Sequence, residues 1–193
     1  MTKTFMNIGK ITGNRVVLRP AKRSDCTKEY LSWLEDARIN QYLETRWEEQ
    51  SIEKIQLFVE SMEKSLDSIL FVIIDVSSGR HIGNIKIGPI NPNHKYADIS
   101  YFIGDSNVWG KGYATEVVSL LTSYAFNCLD LENILAGVYE SNIGSQRVLE
   151  KSGYKMQCEF SNMVVNVKNR RESLFRYTLS RGDFLARVVS KKT

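Results

Sequence analysis

The sequence is poor in the residues that build metal sites and disulfide frameworks. It has three cysteines in 193 residues, Cys26, Cys128 and Cys158, and its two histidines are His81 and His94. The cysteines are odd in number and widely spaced, which predicts reduced thiols without disulfides and a cytoplasmic setting. Because no Cys-x-x-Cys pair or histidine cluster occurs, we also expect no metal.

Long apolar runs and a strong charge of one sign are also missing. No stretch reaches the roughly 18 apolar residues that a membrane-spanning helix needs, and the N-terminus has no apolar run of signal-peptide length. The net charge of +4 suits an anionic ligand but does not require nucleic acid. We therefore expect no membrane and no nucleic acid partner. No repeat or linker divides the chain, which predicts a flexible N-terminus over 1–14, a single domain over 15–180 and a basic C-terminal tail over 181–193.

The chain is organised around a strand, a glycine turn and a helix within residues 96–126. The side chains from Tyr96 to Ile103 follow a period of two, which predicts a strand. A turn follows over 108–114, and apolar residues then recur at three and four positions, which predicts a helix from Tyr113.

Such a turn can bind an anion. The first amides of a helix have no partner within it, and the helix dipole places partial positive charge there. Gly110 and Gly112 let the backbone approach a phosphate closely, and Lys111 adds a cation. The spacing matches neither a P-loop nor the dinucleotide motif, since Thr115 stands where the third glycine of that motif belongs. From these residues alone, a tight turn without a ligand is an equally good interpretation.

The second half of this segment adds another strand and helix. Residues 134–140 read as a strand, Ser141-Asn142 as a cap, and 144–151 as a helix ended by Gly153. The two halves together resemble the acetyl-CoA-binding core of the GNAT N-acetyltransferase superfamily, closest to the RimJ/RimL type. The family's Gln/Arg-x-x-Gly-x-Gly/Ala motif corresponds to residues 109–114, where Trp109 departs from the usual Gln or Arg. Its second motif, Asn-x-x-Ser followed by Gly-Phe, corresponds to Asn142-Ile143-Gly144-Ser145 and Gly153-Tyr154.

This resemblance implies an α+β, three-layer α/β/α fold. The expected sheet is mixed and mostly antiparallel, with six to seven strands, four to five helices, and a splay between the two central strands. The sequence adds strands near 15–19, 70–76, 82–87, 162–167 and 173–179, and helices over about 24–35 and from Ser51.

The resemblance also implies acetyl-CoA as cosubstrate. Its pyrophosphate would lie on the amides of the glycine turn, and its pantetheine arm would lie beside the end of the strand predicted at 96–103. Asn142 would bond an amide of that arm. The predicted cofactor-binding residues are Phe102, Ile103, Gly104, Trp109, Gly110, Lys111, Gly112, Tyr113, Ala114, Thr115, Asn142 and Ser145.

Asp98 is the predicted catalytic base. It lies eleven residues before Trp109, the spacing of the base in the histone-acetylating branch, and burial of a carboxylate on a central strand can raise its pKa. It could instead orient the acceptor or bond a loop, and water-mediated deprotonation helped by Tyr96, Glu44 or Glu140 is the competing route. Leu149 occupies the position where many family members carry a tyrosine that serves as the general acid. Ser145 could protonate the thiolate or merely cap its helix, and Tyr139 could substitute.

The connection between the first two helices is expected to cover the acceptor. It holds aromatic and acidic side chains that suit a cationic or sugar-like amine, although a surface helix start with one packing tryptophan explains them equally well. The predicted substrate-binding residues are Tyr42, Glu44, Trp47, Tyr96 and Asp98. The sequence thus predicts direct acetyl transfer in a ternary complex to a small amine such as an amino sugar. A protein N-terminal amine, a CoA-binding sensor without turnover, and a homodimer stay open.

Overall fold

The structure of the chain is a computed structural model that describes residues 8–190. These residues form eight strands: β1 Ile11–Thr12, β2 Val16–Pro20, β3 Ile69–Asp75, β4 His81–Asn91, β5 Tyr96–Ile103, β6 Asn133–Tyr139, β7 Lys155–Val165 and β8 Arg171–Ser180. They also form six α-helices: α1 Lys28–Glu35, α2 Ala37–Asn40, α3 Ile52–Glu63, α4 Tyr113–Asn127, α5 Ile143–Ser152 and α6 Arg181–Ser190. Short 3₁₀ turns lie at Arg23–Asp25, Glu44–Trp47 and Ser106–Val108.

All eight strands belong to one sheet, in the order β1-β2-β3-β4-β5-β6-β8-β7. Every neighbouring pair is antiparallel except β5 and β6, which run parallel. Parallel neighbours need a crossover connection, and α4 supplies it. The predicted mixed, mostly antiparallel sheet is confirmed.

The two parallel strands separate soon after they meet. Their pairing covers Tyr96, Ala97 and Asp98 opposite Asn133, Ile134 and Leu135, and then stops. Beyond that point β5 stays paired with β4 as far as Ile103, and β6 stays paired with β8 as far as Tyr139. The predicted splay between the central strands therefore opens as a gap inside the sheet.

Helices cover both faces of the sheet, as a three-layer α+β fold requires. On one face, α4 and α5 bury Val117, Leu121 and Leu149 against the sheet. On the other face, the apolar cluster of α1 and α3 takes its buried sheet residues, Leu70 and Val72, from β3. The face of β6, β8 and β7 on that side lies outside this cluster.

The number of strands, the number of helices and the first domain boundary differ from the sequence prediction. The sheet has eight strands instead of six to seven, because the two-residue β1 pairs with β2. This strand begins before the predicted domain boundary at residue 15. Six helices replace the expected four to five, because the four-residue α2 and the C-terminal α6 are added. The α6 helix docks through Phe184, whose ring centroid lies 5.1 Å from that of Phe126 on α4.

The predicted flexible N-terminus and basic C-terminal tail fall partly on residues 1–7 and 191–193, which lie outside the described residues. Within 8–190, no helix combines the length and apolar character needed to cross a lipid bilayer.

Candidate active site

The gap between β5 and β6 opens into a cleft of about 830 Å³. Its walls are the unpaired ends of the two strands, Ile99–Ile103 and Ala136–Tyr139, together with the glycine turn and the start of α5. Backbone groups on the facing strand edges have no ladder partner across the gap, and polar backbone groups away from water need one. The cleft is therefore suited to an extended, amide-containing chain.

The glycine turn closes one end of the cleft. Gly110 and Gly112 have φ angles of 71° and 83°, in the left-handed region that glycine adopts without strain. The indole of Trp109 donates from Nε1 to the Ile103 carbonyl over 2.9 Å, which fastens the turn to the end of β5. Gly112 is the N-cap of α4, so the first amides of that helix and the positive end of its dipole would favour an anion at this position.

At the start of α5, two polar side chains line the cleft. The Asn142 Oδ1 atom caps the helix by accepting from the Ser145 amide over 3.1 Å. The Ser145 hydroxyl lies 2.8 Å from the Tyr101 hydroxyl. Burial raises the pKa of Tyr101 to about 12, so this phenol stays protonated at neutral pH.

The sequence prediction missed Tyr101. The one available signal was its place in the β5 alternation, on the same side as Ile99 and Ile103. Leu149, at the position of the family's tyrosine, is fully buried in the core instead.

The other end of the cleft is aromatic and carries a carboxylate. Glu44 Oε1 accepts from the Tyr139 hydroxyl over 2.7 Å, and its Oε2 accepts from the Trp47 indole over 3.2 Å. Arg46 donates to the same Tyr139 hydroxyl over 2.9 Å. The Tyr42 ring lies 5.8 Å from the Tyr139 ring. Burial and the hydrogen bond to Glu44 raise the pKa of Tyr139, whose hydroxyl is occupied as both donor and acceptor.

The charge of the cleft lining is uneven. Among the described residues that line it, Glu44 is the one carboxylate, whereas three side chains are cationic: Arg38, Arg147 and Lys151. Arg38 forms an ion pair with Asp36 at 2.6 Å. Arg147 and Lys151 both lie on α5.

Asp98 lies outside this lining. Its Oδ1 forms an ion pair with Arg176 Nη2 at 2.6 Å, across the intervening strand β6. Gly137 makes room for the crossing, because a Cβ there would stand 3.3 Å from Arg176 Nη1. Two residues next to this ion pair do line the cleft: Ser100, two positions after Asp98 on β5, and Gly137 on β6. The role of Asp98 as base stays a prediction.

Four other predicted residues also lie outside the lining. Tyr96 lies at the far end of β5, where it stacks on His94. The Gly104 amide already donates to Ile82 over 2.8 Å, so it is not free for the pantetheine arm. Trp47 is 58% exposed and reaches the site through its bond to Glu44. Lys111 is exposed on the turn. The remaining predicted site residues all line the cleft: Tyr42, Glu44, Phe102, Ile103, Trp109, Gly110, Gly112, Tyr113, Ala114, Thr115, Tyr139, Asn142 and Ser145.

A sheet opened between parallel strands, with a glycine turn at the head of the following helix, has a shape suited to a long, phosphate-bearing cosubstrate. The acetyltransferase (GNAT) domain profile matches residues 15–155. The chain belongs to this family, and it is an acetyl-CoA-dependent N-acetyltransferase.

Relatives agree with this assignment. The chain is 30% identical over 154 residues to the probable N-acetyltransferase YjcK of Bacillus subtilis, covering 75% of this chain and 82% of that protein. It is also 30% identical over 146 residues to the uncharacterized N-acetyltransferase YoaA of the same organism, covering 75% and 81%. The fold matches the spermidine N-acetyltransferase of Vibrio cholerae in complex with CoA and spermine. The TM-score is 0.77 at 20% identity, with 90% of this chain and 99% of that chain covered.

Proposed function

We propose that the chain transfers an acetyl group from acetyl-CoA to the primary amine of a small molecule, such as an amino sugar. Transfer occurs by direct attack in a ternary complex. The observation that carries this proposal is the carboxylate of Glu44, set among Tyr42, Tyr139 and Trp47 at one end of the cleft. The other described residues that line the cleft are uncharged or cationic.

Acetyl-CoA, the acetyl donor, occupies the end of the cleft at the glycine turn and the gap between β5 and β6. Its pyrophosphate lies on the amides at the head of α4, where the helix dipole and the left-handed glycines favour an anion. Its pantetheine arm runs along the unpaired edges of β5 and β6, which leave backbone groups to bond it. The Asn142 oxygen is engaged as a helix cap, so its amide NH₂ is the group that meets the arm.

The acceptor amine enters at Glu44. A carboxylate attracts the ammonium group, and aromatic faces beside it stabilise cationic or sugar-like acceptors. Loss of one proton, to a carboxylate or through a water molecule, frees the nitrogen lone pair to attack the thioester carbon. Asp98 remains a candidate acceptor of this proton because it lies next to Ser100 and Gly137, which line the cleft.

The Ser145 hydroxyl donates a hydrogen bond to the leaving sulfur, and the thiolate then takes its proton from the solvent. The Tyr101 hydroxyl lies 2.8 Å from the Ser145 hydroxyl, and its pKa, raised to about 12, keeps it protonated at neutral pH. A tyrosine that gives up its proton only near pH 12 is unsuited to act as the acid itself. We therefore assign Tyr101 the task of orienting the Ser145 hydroxyl.

The charge of the lining favours a single amine over a polyamine. The structurally similar Vibrio cholerae protein binds spermine by its name, and a polyamine carries several cations that need several carboxylates. Among the described residues of this lining, one carboxylate is outnumbered by three cationic side chains. A protein N-terminal amine, as in the RimJ/RimL type, could reach Glu44 over the face of β6 and β8, and it is the second candidate that the experiment must include.

The test is a panel of acceptors with the purified protein and acetyl-CoA. Thiol release is followed for free amino sugars, nucleotide-linked amino sugars, spermidine and peptides with a free N-terminus, and mass spectrometry detects the acetyl adduct. We expect turnover with a sugar amine and little with spermidine. Faster turnover with spermidine or with peptides would overturn the proposal. CoA binding without thiol release on any amine would favour a sensor.

A further inference from the structure

Two residues at one corner of the sheet contact the glycine turn without lining the cleft. Arg15 immediately precedes β2 and Asp75 ends β3, and the Arg15 carbonyl accepts from the Val76 amide over 2.8 Å. Neither residue belongs to the cleft lining. Both therefore approach the turn from the sheet side.

Arg15 contacts three residues of the turn and the start of α4. Its Nη1 donates to the Lys111 carbonyl over 2.5 Å, and its guanidinium lies 5.3 Å from the centre of the Tyr113 ring. Its Nε donates to Glu116 Oε2 over 2.8 Å, and its backbone amide donates to Glu116 Oε1 over 2.8 Å. One side chain thus ties the last residues of the turn to the first turn of α4.

Asp75 holds the same segment from a second point. Its carboxylate is buried and accepts from the hydroxyls of Ser77, Ser78 and Tyr113 over 2.7, 2.6 and 3.1 Å. The hydrogen bonds from Ser78 and Ser77 lower the pKa of Asp75 well below its usual range, so it stays ionised. Tyr113, the first residue of α4, is therefore fixed by a charged acceptor at its hydroxyl and by Arg15 at its ring face.

The direction of the turn amides follows from these contacts. In a trans peptide the carbonyl and the next N–H point in opposite directions. Because Arg15 binds the Lys111 carbonyl, the Gly112 N–H points away from Arg15. Gly112 has no side chain to obstruct this contact, since a Cβ there would lie 3.3 Å from Arg15 Nη2.

We propose that Arg15 and Asp75 are positioning residues for the phosphates of the acetyl donor, holding the turn over 110–113 so that its amides face the cleft before the donor binds. A turn with two left-handed glycines is otherwise free to sample many conformations, and ordering it at the moment of binding costs affinity. The proposal rests on the phosphate placement given under the proposed function and is independent of the acceptor.

The test compares two donors in three variants. Acetyl-CoA carries the phosphates, and S-acetylpantetheine lacks them. Arg15→Met removes the guanidinium but keeps an aliphatic stem, and Tyr113→Phe keeps the ring and removes the hydroxyl that Asp75 accepts. Arg23→Met is the matched control, because it removes an exposed Arg–Glu pair with Glu60 far from the turn. CoA affinity is also measured by calorimetry, which needs no acceptor.

We expect the KM for acetyl-CoA and the Kd for CoA to rise about tenfold in Arg15→Met and about threefold in Tyr113→Phe, the range of one to two hydrogen bonds. In Arg15→Met, the kcat at saturating acetyl-CoA and the kcat/KM for S-acetylpantetheine stay at the wild-type value, as does every parameter of Arg23→Met.

Three results would overturn the proposal. An equal loss with both donors means that the variants damage the cleft as a whole. A loss in Arg15→Met but none in Tyr113→Phe means that Arg15 acts by direct contact with phosphate. Unchanged CoA affinity in both variants means that the turn holds its shape without them. Should no amine be acetylated, the calorimetry still tests for the second and third of these results.

Discussion

Replacing Glu44 with glutamine tests the acceptor end of the cleft directly. The two side chains have nearly the same volume, and the glutamine carbonyl can still accept the Tyr139 hydroxyl that Glu44 Oε1 now accepts over 2.7 Å. The substitution therefore removes the charge and places an NH₂ donor where an incoming amine needs an acceptor.

The size of the effect follows from the exposure of the site. A hydrogen bond to a charged group contributes about 1.5–3 kcal/mol, which is about 10- to 150-fold in affinity. Glu44 is exposed at the mouth of the cleft, so solvent screening places the expected loss near the lower limit. We expect the KM for the amine to rise about 10- to 30-fold, with the KM for acetyl-CoA unchanged.

The assay is thiol release at fixed, saturating acetyl-CoA while the amine concentration is varied. Glu48→Gln is the matched control, because Glu48 lies four residues away with a side chain 73% exposed and an ion pair to Lys54 at 3.4 Å. It removes the same charge from the same segment but not from the cleft lining. We expect its kinetics to match the wild type.

An unchanged amine KM in Glu44→Gln would refute the assignment of the acceptor to this end of the cleft. An equal rise in Glu44→Gln and Glu48→Gln would also refute it, since that result means general attraction by surface charge.

Three further predictions concern the base, the Ser145 pair and α6. Asp98→Ala should lower kcat more than cofactor affinity, and an unchanged pH–rate profile would remove Asp98 as the base. Tyr101→Phe should lower kcat about tenfold by releasing the Ser145 hydroxyl. Because the folded pKa of about 12 exceeds the unfolded value of about 10, Tyr101 stabilises the fold below pH 10, and this contribution is lost as the pH rises toward 12. Urea titrations between pH 10 and 12 should therefore show a smaller fall in the free energy of unfolding for Tyr101→Phe than for the wild type. An identical fall in both proteins would count against the burial of the Tyr101 phenol. Phe184→Ala should lower the free energy of unfolding by about 1–3 kcal/mol, less than the loss for a fully buried ring, because Phe184 is only partly buried against the core. An unchanged urea midpoint would mean that the Phe184 contact adds nothing to the stability of the fold.

Local patterns were sufficient to predict the central segment. The alternation along β5, the glycines of the turn and the helical spacing after Tyr113 each act within a few residues, so they can be read from the chain. The predicted helix at 144–151 is Ile143–Ser152 in the structure. The strand predicted at 162–167 extends over Lys155–Val165 in the structure. Its first part was missed because two irregularities in its pairing with β8 interrupt the alternation of side chains.

Contacts between distant residues could not be predicted in the same way. Arg176 and Asp98 are 78 residues apart, Tyr101 and Ser145 are 44 apart, and Arg15 and Glu116 are 101 apart. Each pair joins elements that are distant in the chain, and the Asp98–Arg176 pair depends in addition on the insertion of β8 between β6 and β7. Asp98 could therefore be placed on its strand from the sequence, but its ion pair across Gly137 could not.

The parting of β5 from β6 gives the molecule two strand edges in its interior, in addition to the outer edges at β1 and β7. An edge accepts any extended chain that offers matching amides, which is how peptides augment sheets elsewhere. When the donor's arm fills this position it completes the sheet, and its binding energy adds to the free energy of unfolding in proportion to the logarithm of its concentration. The amides along the gap should accordingly exchange with deuterium more slowly as CoA is added, and the melting temperature should rise with them.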